Sequence, residues 1–276
     1  MQIVFCGTGQ AYLDADRAGS SVFVRANGSG VLLDCGPGSL GRLPGAGVGL
    51  GEIDALLLSH LHFDHSLGVV ELLTRMAFEE LTLPAFRGPN ETAVFMEAAV
   101  QFARTQLGFL VEGLWVGRLD VLDVEEPEPG TPFTVGEFEV EARTVPHAGD
   151  LHALAWRLAA GGRTVVYSGD TTPSHEAFSD LARGADVLIH ESYTRLGLDR
   201  QTATMPEQRR EAVHRAFRET HSEVSQVASI AQAAGVRTLV LTHLLPRESE
   251  AELLKLAASE FGGELIVAHD GMTLDI

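Results

Sequence analysis

Six consecutive positions, His60-Leu61-His62-Phe63-Asp64-His65, carry three imidazoles and a carboxylate, and no other stretch constrains the fold as strongly. They follow an apolar run, Ala55-Leu56-Leu57-Leu58, that reads as a buried strand. After them Leu67, Val70, Leu73 and Ala77 recur at helical spacing. The cluster is therefore expected on the turn between the carboxyl end of a strand and the start of a helix, where open α/β sheets build their sites. Neutral imidazole nitrogen and carboxylate oxygen are zinc ligands at roughly 2.0–2.2 Å. His60 and His62, two apart, can face one side of an extended turn while Asp64 and His65 turn toward a neighbouring point. One loop can thus feed two metals about 3.5–4 Å apart. The bland alternative is a polar loop with surface histidines, and the spacing and flanking pattern argue against it.

Later strands repeat the theme of ending in ligand types. Gln2 to Cys6 reads as a strand before Gly7-Thr8-Gly9, which lacks the third glycine of a dinucleotide fingerprint. Segments 21–24 and 31–34 read as a hairpin across Asn27-Gly28. It ends in Asp34-Cys35-Gly36-Pro37-Gly38, where Asp34 either supports a metal ligand from behind or caps a turn. Glu91 to Arg104 is helical, with Phe95, Ala98, Ala99 and Phe102 expected inward. The acidic, proline-rich stretch from Asp123 to Gly130 should be exposed. Phe138, Val140 and Ala142 alternate with charged residues in a strand that delivers His147. Further strands run into Asp170, His190-Glu191, His243 and His269. Thr220-His221-Ser222-Glu223 fits a capping box opening a helix that stops at Gly235. His221 would then sit in a first helical turn, where the dipole disfavours its cation and a nearby carboxylate is needed to hold a proton on it. His152, His175 and His214 read as surface or loop residues, and His190 and His269 as supporting ones at most.

With 276 residues, 45% of them hydrophobic, the chain is one large domain or two small ones. It has no apolar run of about 18 residues, so no membrane span is expected. Its start lacks the segments of a secretory signal, and Cys6 and Cys35 fit packing positions in a reducing compartment, so a cytoplasmic protein is expected. The formal net charge of -18 argues against general nucleic-acid binding, although bound cations would reverse the field locally and admit a nucleotide-sized anion.

The residues His60-x-His62-x-Asp64-His65, His147, Ser168-Gly169-Asp170-Thr171 and Thr242-His243 resemble the ligand series of the metallo-β-lactamase superfamily. Gly7-Thr8-Gly9, Arg17, Ser20-Ser21, Asp34 to Gly38, His190-Glu191 and Thr220-His221-Ser222 resemble its ribonuclease Z and arylsulfatase-like branch. The resemblance covers nearly the whole chain. It implies an α/β (α+β) fold, the four-layer αββα sandwich, as one domain over 1–276. It also implies two Zn2+ ions, Mn2+ or Fe2+ being the other ions considered. By that pattern His60, His62 and His147 hold one metal, Asp64, His65 and His243 the other, and Asp170 bridges. A bridging hydroxide would attack, Asp64 would orient it, and Glu191 with His221 would deliver a proton to the leaving oxygen.

Two departures matter. Leu13 stands where the branch has proline, and no room exists between His147 and Asp170 for the long arm of the transfer-RNA-processing members. Instead, an extension at 193–219 carries Arg195, Arg200, Arg209, Arg210, Arg215 and Arg218. It reads either as a cap steering an anionic substrate or as a solvated helix or subunit contact. The expected substrate is a small phosphodiester. The rivals are a sulfate ester (arylsulfatase), transfer RNA (a ribonuclease Z-type endonuclease), a lactone, and a metal-binding scaffold without catalysis. Nucleic acid is not favoured, no membrane partner is expected, and a homodimer is the expected assembly by analogy.

Overall fold

The computed structural model describes residues 1–107, 119–120, 122–149 and 151–276. Strand β1 (Gln2–Gly7) pairs antiparallel with β2 (Ser21–Ala26), and β2 with β3 (Ser29–Leu33). Asn27 at φ 52° and Gly28 at φ 87° close that hairpin, both in the left-handed region a two-residue turn of this kind requires. Three 3-10 turns within 39–52 then lead to β4 (Ala55–Leu57). Helices α1 (Phe63–Ser66) and α2 (Gly68–Phe78) cross to β5 (Ala85–Arg87), and α3 (Thr92–Leu107) precedes β6 (Val124–Glu125). Strands β3 to β6 run parallel.

The second half begins as an antiparallel meander: β7 (Phe133–Val135), β8 (Phe138–Val145), β9 (Ala153–Ala160) and β10 (Arg163–Tyr167). Helix α4 (His175–Leu181) crosses to β11 (Val187–Glu191). Helices α5 (Arg195–Thr202), α6 (Glu207–Thr220) and α7 (Val224–Ala234) lead to β12 (Thr238–Thr242), and α8 (Glu250–Ala257) to β13 (Glu264–Val267). Strands β10 to β13 are parallel. Finally β14 (Thr273–Asp275) returns to pair antiparallel with β1, so each sheet has seven strands.

Apolar alternation makes the layers. Phe138, Val140 and Ala142 of β8 are buried while Glu139 faces water. They meet Phe5, Val22, Trp156, Leu158 and Val240 in a core between the sheets. The outer face of the first sheet packs Phe23, Leu32 and Leu56 against Leu72, Leu73 and Met76 of α2 and Met96 of α3. The outer face of the second packs Val166, Leu188 and Leu239 against Phe178, Val227 and Leu253. Helices, sheet, sheet and helices thus form the expected four layers. Burying each large aliphatic or aromatic side chain contributes about 1.5–3 kcal/mol. No helix among the described residues is long and apolar enough to cross a membrane.

Two helix faces are turned from their expected phase. In α2, Val69, Leu72, Leu73, Met76 and Ala77 are buried while Leu67, just before it, is 53% exposed. In α3 the buried set is Thr92, Met96, Ala99, Val100, Ala103 and Leu107, and Phe102 is 55% exposed with Ala98 outside. Both helices carry apolar residues on more than one face, so periodicity gave the helix but not its orientation.

Candidate metal centre

Direction of travel explains the site's position. Strands β10, β11 and β12 are parallel, and β8, two antiparallel steps from β10, runs the same way. Their carboxyl ends share one edge, and β8, β10 and β12 release His147, Asp170 and His243 there; β11 ends in Glu191 itself. The first sheet contributes the loop after β4. Glycines permit the close approach: a Cβ on Gly36 would collide with the Asp64 carbonyl, and one on Gly169, at φ 56°, would strike Ser59 at 2.6 Å.

Three overlapping donor groups result, one of them Asp170 with His221 and His243. His60, His62, His147 and Asp170 bring ligand atoms within 4.8 Å of one another, as do Asp64, His65 and His243. Asp170 faces both. Its Oδ2 lies 3.8 Å from His60 Nε2 and 3.9 Å from His147 Nε2, and its Oδ1 lies 3.2 Å from His65 Nε2 and 3.3 Å from His243 Nε2. Asp64 Oδ2 is 3.3 Å from His243 Nε2. All seven predicted ligands are therefore brought together.

Outer partners fix which ring nitrogens face inward. Asp34 Oδ2 accepts the Ser59 hydroxyl at 2.7 Å and the His65 Nδ1 proton at 2.7 Å. Ser59 Oγ, having donated, accepts from His60 Nδ1 at 3.0 Å. The Thr220 carbonyl accepts from His147 Nδ1 at 2.8 Å. The Nε2 atoms of these three rings are turned inward, as the lone pairs a bound cation would take up. His60 Nε2 sits 3.1 Å from His62 Nδ1, and His147 Nε2 3.3 Å from that same atom. Among the described residues His65 Nε2 and Asp170 Oδ1 are buried without a hydrogen bond. Crowded ring nitrogens converging on carboxylate oxygens are an arrangement that bound cations satisfy. The donor set fits divalent ions of the zinc type.

In the bare protein the electrostatics divide the rings: three stay neutral and His65 does not. Burial, then the neighbouring His65, pushes His60 well below the usual histidine range, and burial lowers His62 and His147. Burial opposes the charge on Asp170, but His243 and His65 outweigh it and hold the carboxyl well below its usual value. Burial likewise opposes the His65 cation, but Asp170 and Asp34 overcome it, so without metal Nε2 holds a proton toward Asp170 that a bound cation would displace.

Glu191 and His221 stand beside the cluster. Glu191 Oε1 accepts Thr171 N at 3.2 Å and Ser222 N at 3.0 Å, and Oε2 lies 3.4 Å from His221 Nδ1. Burial disfavours the His221 cation, but Glu191 and Asp170 raise its pKa to about 9. The capping box does not form. Helix α7 starts at Val224, after Glu223, and Thr220 and His221 instead end α6. The 193–219 extension is long enough to build α6, which captures them. The helix dipole at His221 therefore favours its cation, opposite to the expectation.

The other histidines divide as expected except in detail. His152 and His175 are exposed, and His214 bonds Thr202 Oγ1 at 2.9 Å. His190 is buried with Nδ1 donating to the Glu191 carbonyl at 2.7 Å, and His269 pairs with Glu250 at the surface. Tyr167, whose hydroxyl donates to Asp34 Oδ2 at 2.8 Å, was not foreseen, although its place at a strand end before Ser168 was a signal. The Thr220 carbonyl gave none.

The extension rests on Tyr193, Leu198, Phe217 and Leu245, with Tyr12 and Val213 beside them. Glu248 accepts Thr194 N and Thr194 Oγ1 at 2.7 Å each, and Arg200 pairs with Glu252 at 2.6 Å. Arg195 pairs with Glu223, while Arg209, Arg210, Arg215 and Arg218 are exposed without ion pairs among the described residues.

Sequence comparison matches residues 30–244 to a family described as "Beta-lactamase superfamily domain". The ribonuclease Z of Mycobacterium bovis is 33% identical over 279 residues, covering 98% of this chain and 96% of that protein. The ribonuclease Z of Mycobacterium avium is 34% identical over 280 residues, with the same coverage. Among solved structures, the metallo-β-lactamase fold protein YhfI of Bacillus subtilis superposes with a TM-score of 0.75 at 23% identity, covering 99% of each chain. The short form of human tRNase Z superposes with a TM-score of 0.72 at 22% identity, covering 100% of this chain and 99% of that one. At these identities the two structures establish the fold alone.

Proposed function

The chain belongs to the β-lactamase superfamily and is a metal-dependent hydrolase with relatives called ribonuclease Z, and from that premise we propose that it is a phosphodiesterase working at a two-metal centre. The observation that carries this reading is Asp170, whose two oxygens face two separate groups of imidazoles. His60, His62 and His147 would hold one ion, Asp64, His65 and His243 the other, and Asp170 both, zinc being the ion best suited to the donors. When bound, such a pair neutralises phosphoryl oxygens and lowers the pKa of an attacking water.

The chain's own residues supply the rest. Asp34 locks the His65 tautomer, so with metal bound the ring presents a lone pair rather than a proton. Asp64, whose Oδ2 lies 3.3 Å from His243 Nε2, would orient the attacking water. Glu191, fixed by two backbone amides, keeps a proton on His221, and the end of α6 assists by its dipole. His221 then gives that proton to the leaving oxygen, a step that contributes typically 10²–10⁴-fold in rate. The acids Asp64 and Glu191 and the base-paired His221 thus take separate roles within one edge.

Turnover of bis-p-nitrophenyl phosphate without turnover of p-nitrophenyl sulfate supports the reading, and the reverse assigns a sulfatase. The relatives' names favour a second form of the same reaction, cleavage of RNA, against the earlier preference for a small anion. The stretch between His147 and Asp170 is taken up by β9 and β10. A precursor transfer RNA assay decides between a small diester and the polymer.

A further inference from the structure

Beside the ligand loop lies a concavity of about 330 Å3, at the small end for ligand pockets, with Asp64 in its lining. Tyr12, Leu13, Phe63 and Arg42 line it as well, and none of them has a part in the proposed chemistry. Phe63 is 51% exposed and Leu13 fully so. Single exposed apolar residues are ordinary, but here two large ones share one hollow with a carboxylate of the site.

Phe63 cannot withdraw. Its neighbours Asp64, His65 and Ser66 are buried, and Ser66 Oγ donates to the His62 carbonyl at 2.9 Å. His65 N bonds that same carbonyl at 3.0 Å. Turning the ring inward would drag the metal-ligand loop with it. The ring is therefore held at the rim by the same backbone that places the ligands. Arg42 adds a half-exposed guanidinium: Nε reaches Asp270 at 3.4 Å, and its terminal nitrogens make no hydrogen bond among the described residues. Asp14 and Asp64 line the hollow together with Arg17 and Arg42, two charges of each sign, which suits a neutral ring bearing hydrogen-bond donors and acceptors.

We propose that this hollow is a nucleobase subsite, in which the base next to the scissile phosphodiester stacks on Phe63 against Leu13 and Tyr12, with the terminal nitrogens of Arg42, beyond its contact with Asp270, left for a flanking phosphate. The proposal rests on the phosphodiesterase reading and narrows it to nucleotide substrates. Aromatic stacking of this kind tolerates any base, because every base has a π face.

The test uses two diesters with one leaving group, the p-nitrophenyl ester of thymidine 5′-phosphate and methyl p-nitrophenyl phosphate. The wild type should prefer the nucleoside ester. Phe63→Ala should cut the ratio of the two kcat/KM values about tenfold, as expected for one lost stacking contact, with metal content unchanged. Phe63→Trp should restore the ratio. An equal fall for both esters, or an unchanged ratio, overturns the subsite. Equilibrium binding of thymidine 5′-monophosphate is the second readout. Binding that Phe63→Ala weakens about tenfold supports the subsite even if neither ester turns over, in which case only the phosphodiesterase reading falls. Binding that the variant leaves unchanged overturns the subsite.

Discussion

Replacing Asp34 by asparagine should loosen the metal without unfolding the protein. Asp34 is fully buried, at φ 56°, a conformation asparagine tolerates. Its Oδ1 accepts the Ser59 backbone N–H at 2.6 Å, a donor that cannot rotate away. Asparagine must therefore put its oxygen there and its NH2 where Oδ2 was. Three donors met Oδ2: Ser59 Oγ, Tyr167 OH and His65 Nδ1. The two hydroxyls can turn and accept. His65 can accept on Nδ1 only by moving its proton to Nε2, the atom that faces Asp170. A ring so protonated cannot bind a cation. Loss of such an outer partner typically costs 10–100-fold in metal affinity, or about 1.4–2.8 kcal/mol. Asp34→Ala is the less informative change. It orphans four donors at about 1–3 kcal/mol each, at least ~4 kcal/mol against a typical total of about 5–15. The assay is competition with a chromophoric chelator, with a thermal melt of the metal-free variant as the folding control. Wild-type affinity in a folded Asp34→Asn protein would refute the tautomer argument.

Further outcomes follow from the same geometry. His221→Ala should keep its metal and lose about 10²-fold or more in rate, whereas Asp170→Ala should lose metal, both read by elemental analysis beside turnover. Glu248→Ala strands the buried Thr194 N–H and unlatches α5, so the urea midpoint should fall by an amount equivalent to about 1–3 kcal/mol, and turnover with it because α6 carries His221. Burial pushes the Cys6 thiol up to about 12 and raises Cys35 further. Neither should react with a disulfide reagent at mildly alkaline pH until the chain is unfolded.

The site was legible because its parts are strand ends. A strand pattern, an apolar run or an alternation, that ends at or within three residues of a His, Asp or Glu is a local signal, and the structure puts His60, His147, Asp170, Glu191 and His243 at such strand ends. Asp34 was legible only as one of two readings, support for a metal ligand or a turn cap, and its contact with His65 Nδ1 decides between them. What stayed hidden depends on longer-range packing. Thr220-His221-Ser222-Glu223 has a helix-opening pattern, yet the incoming α6 claims Thr220 and His221, and only the length of that helix decides the matter. The phase of α3 was equally hidden, since Phe102 and Met96 are both apolar and only the sheet beneath selects Met96. Strand β14 is three residues long and is a strand because β1 leaves it an edge to pair with.

The measurement that bears most directly on the account is anomalous diffraction at a transition-metal absorption edge, from crystals of protein purified without chelator. The account predicts two peaks per chain, one among His60, His62 and His147, the other among Asp64, His65 and His243, with Asp170 touching both. A single peak elsewhere, or none after growth in metal-replete medium, would contradict it.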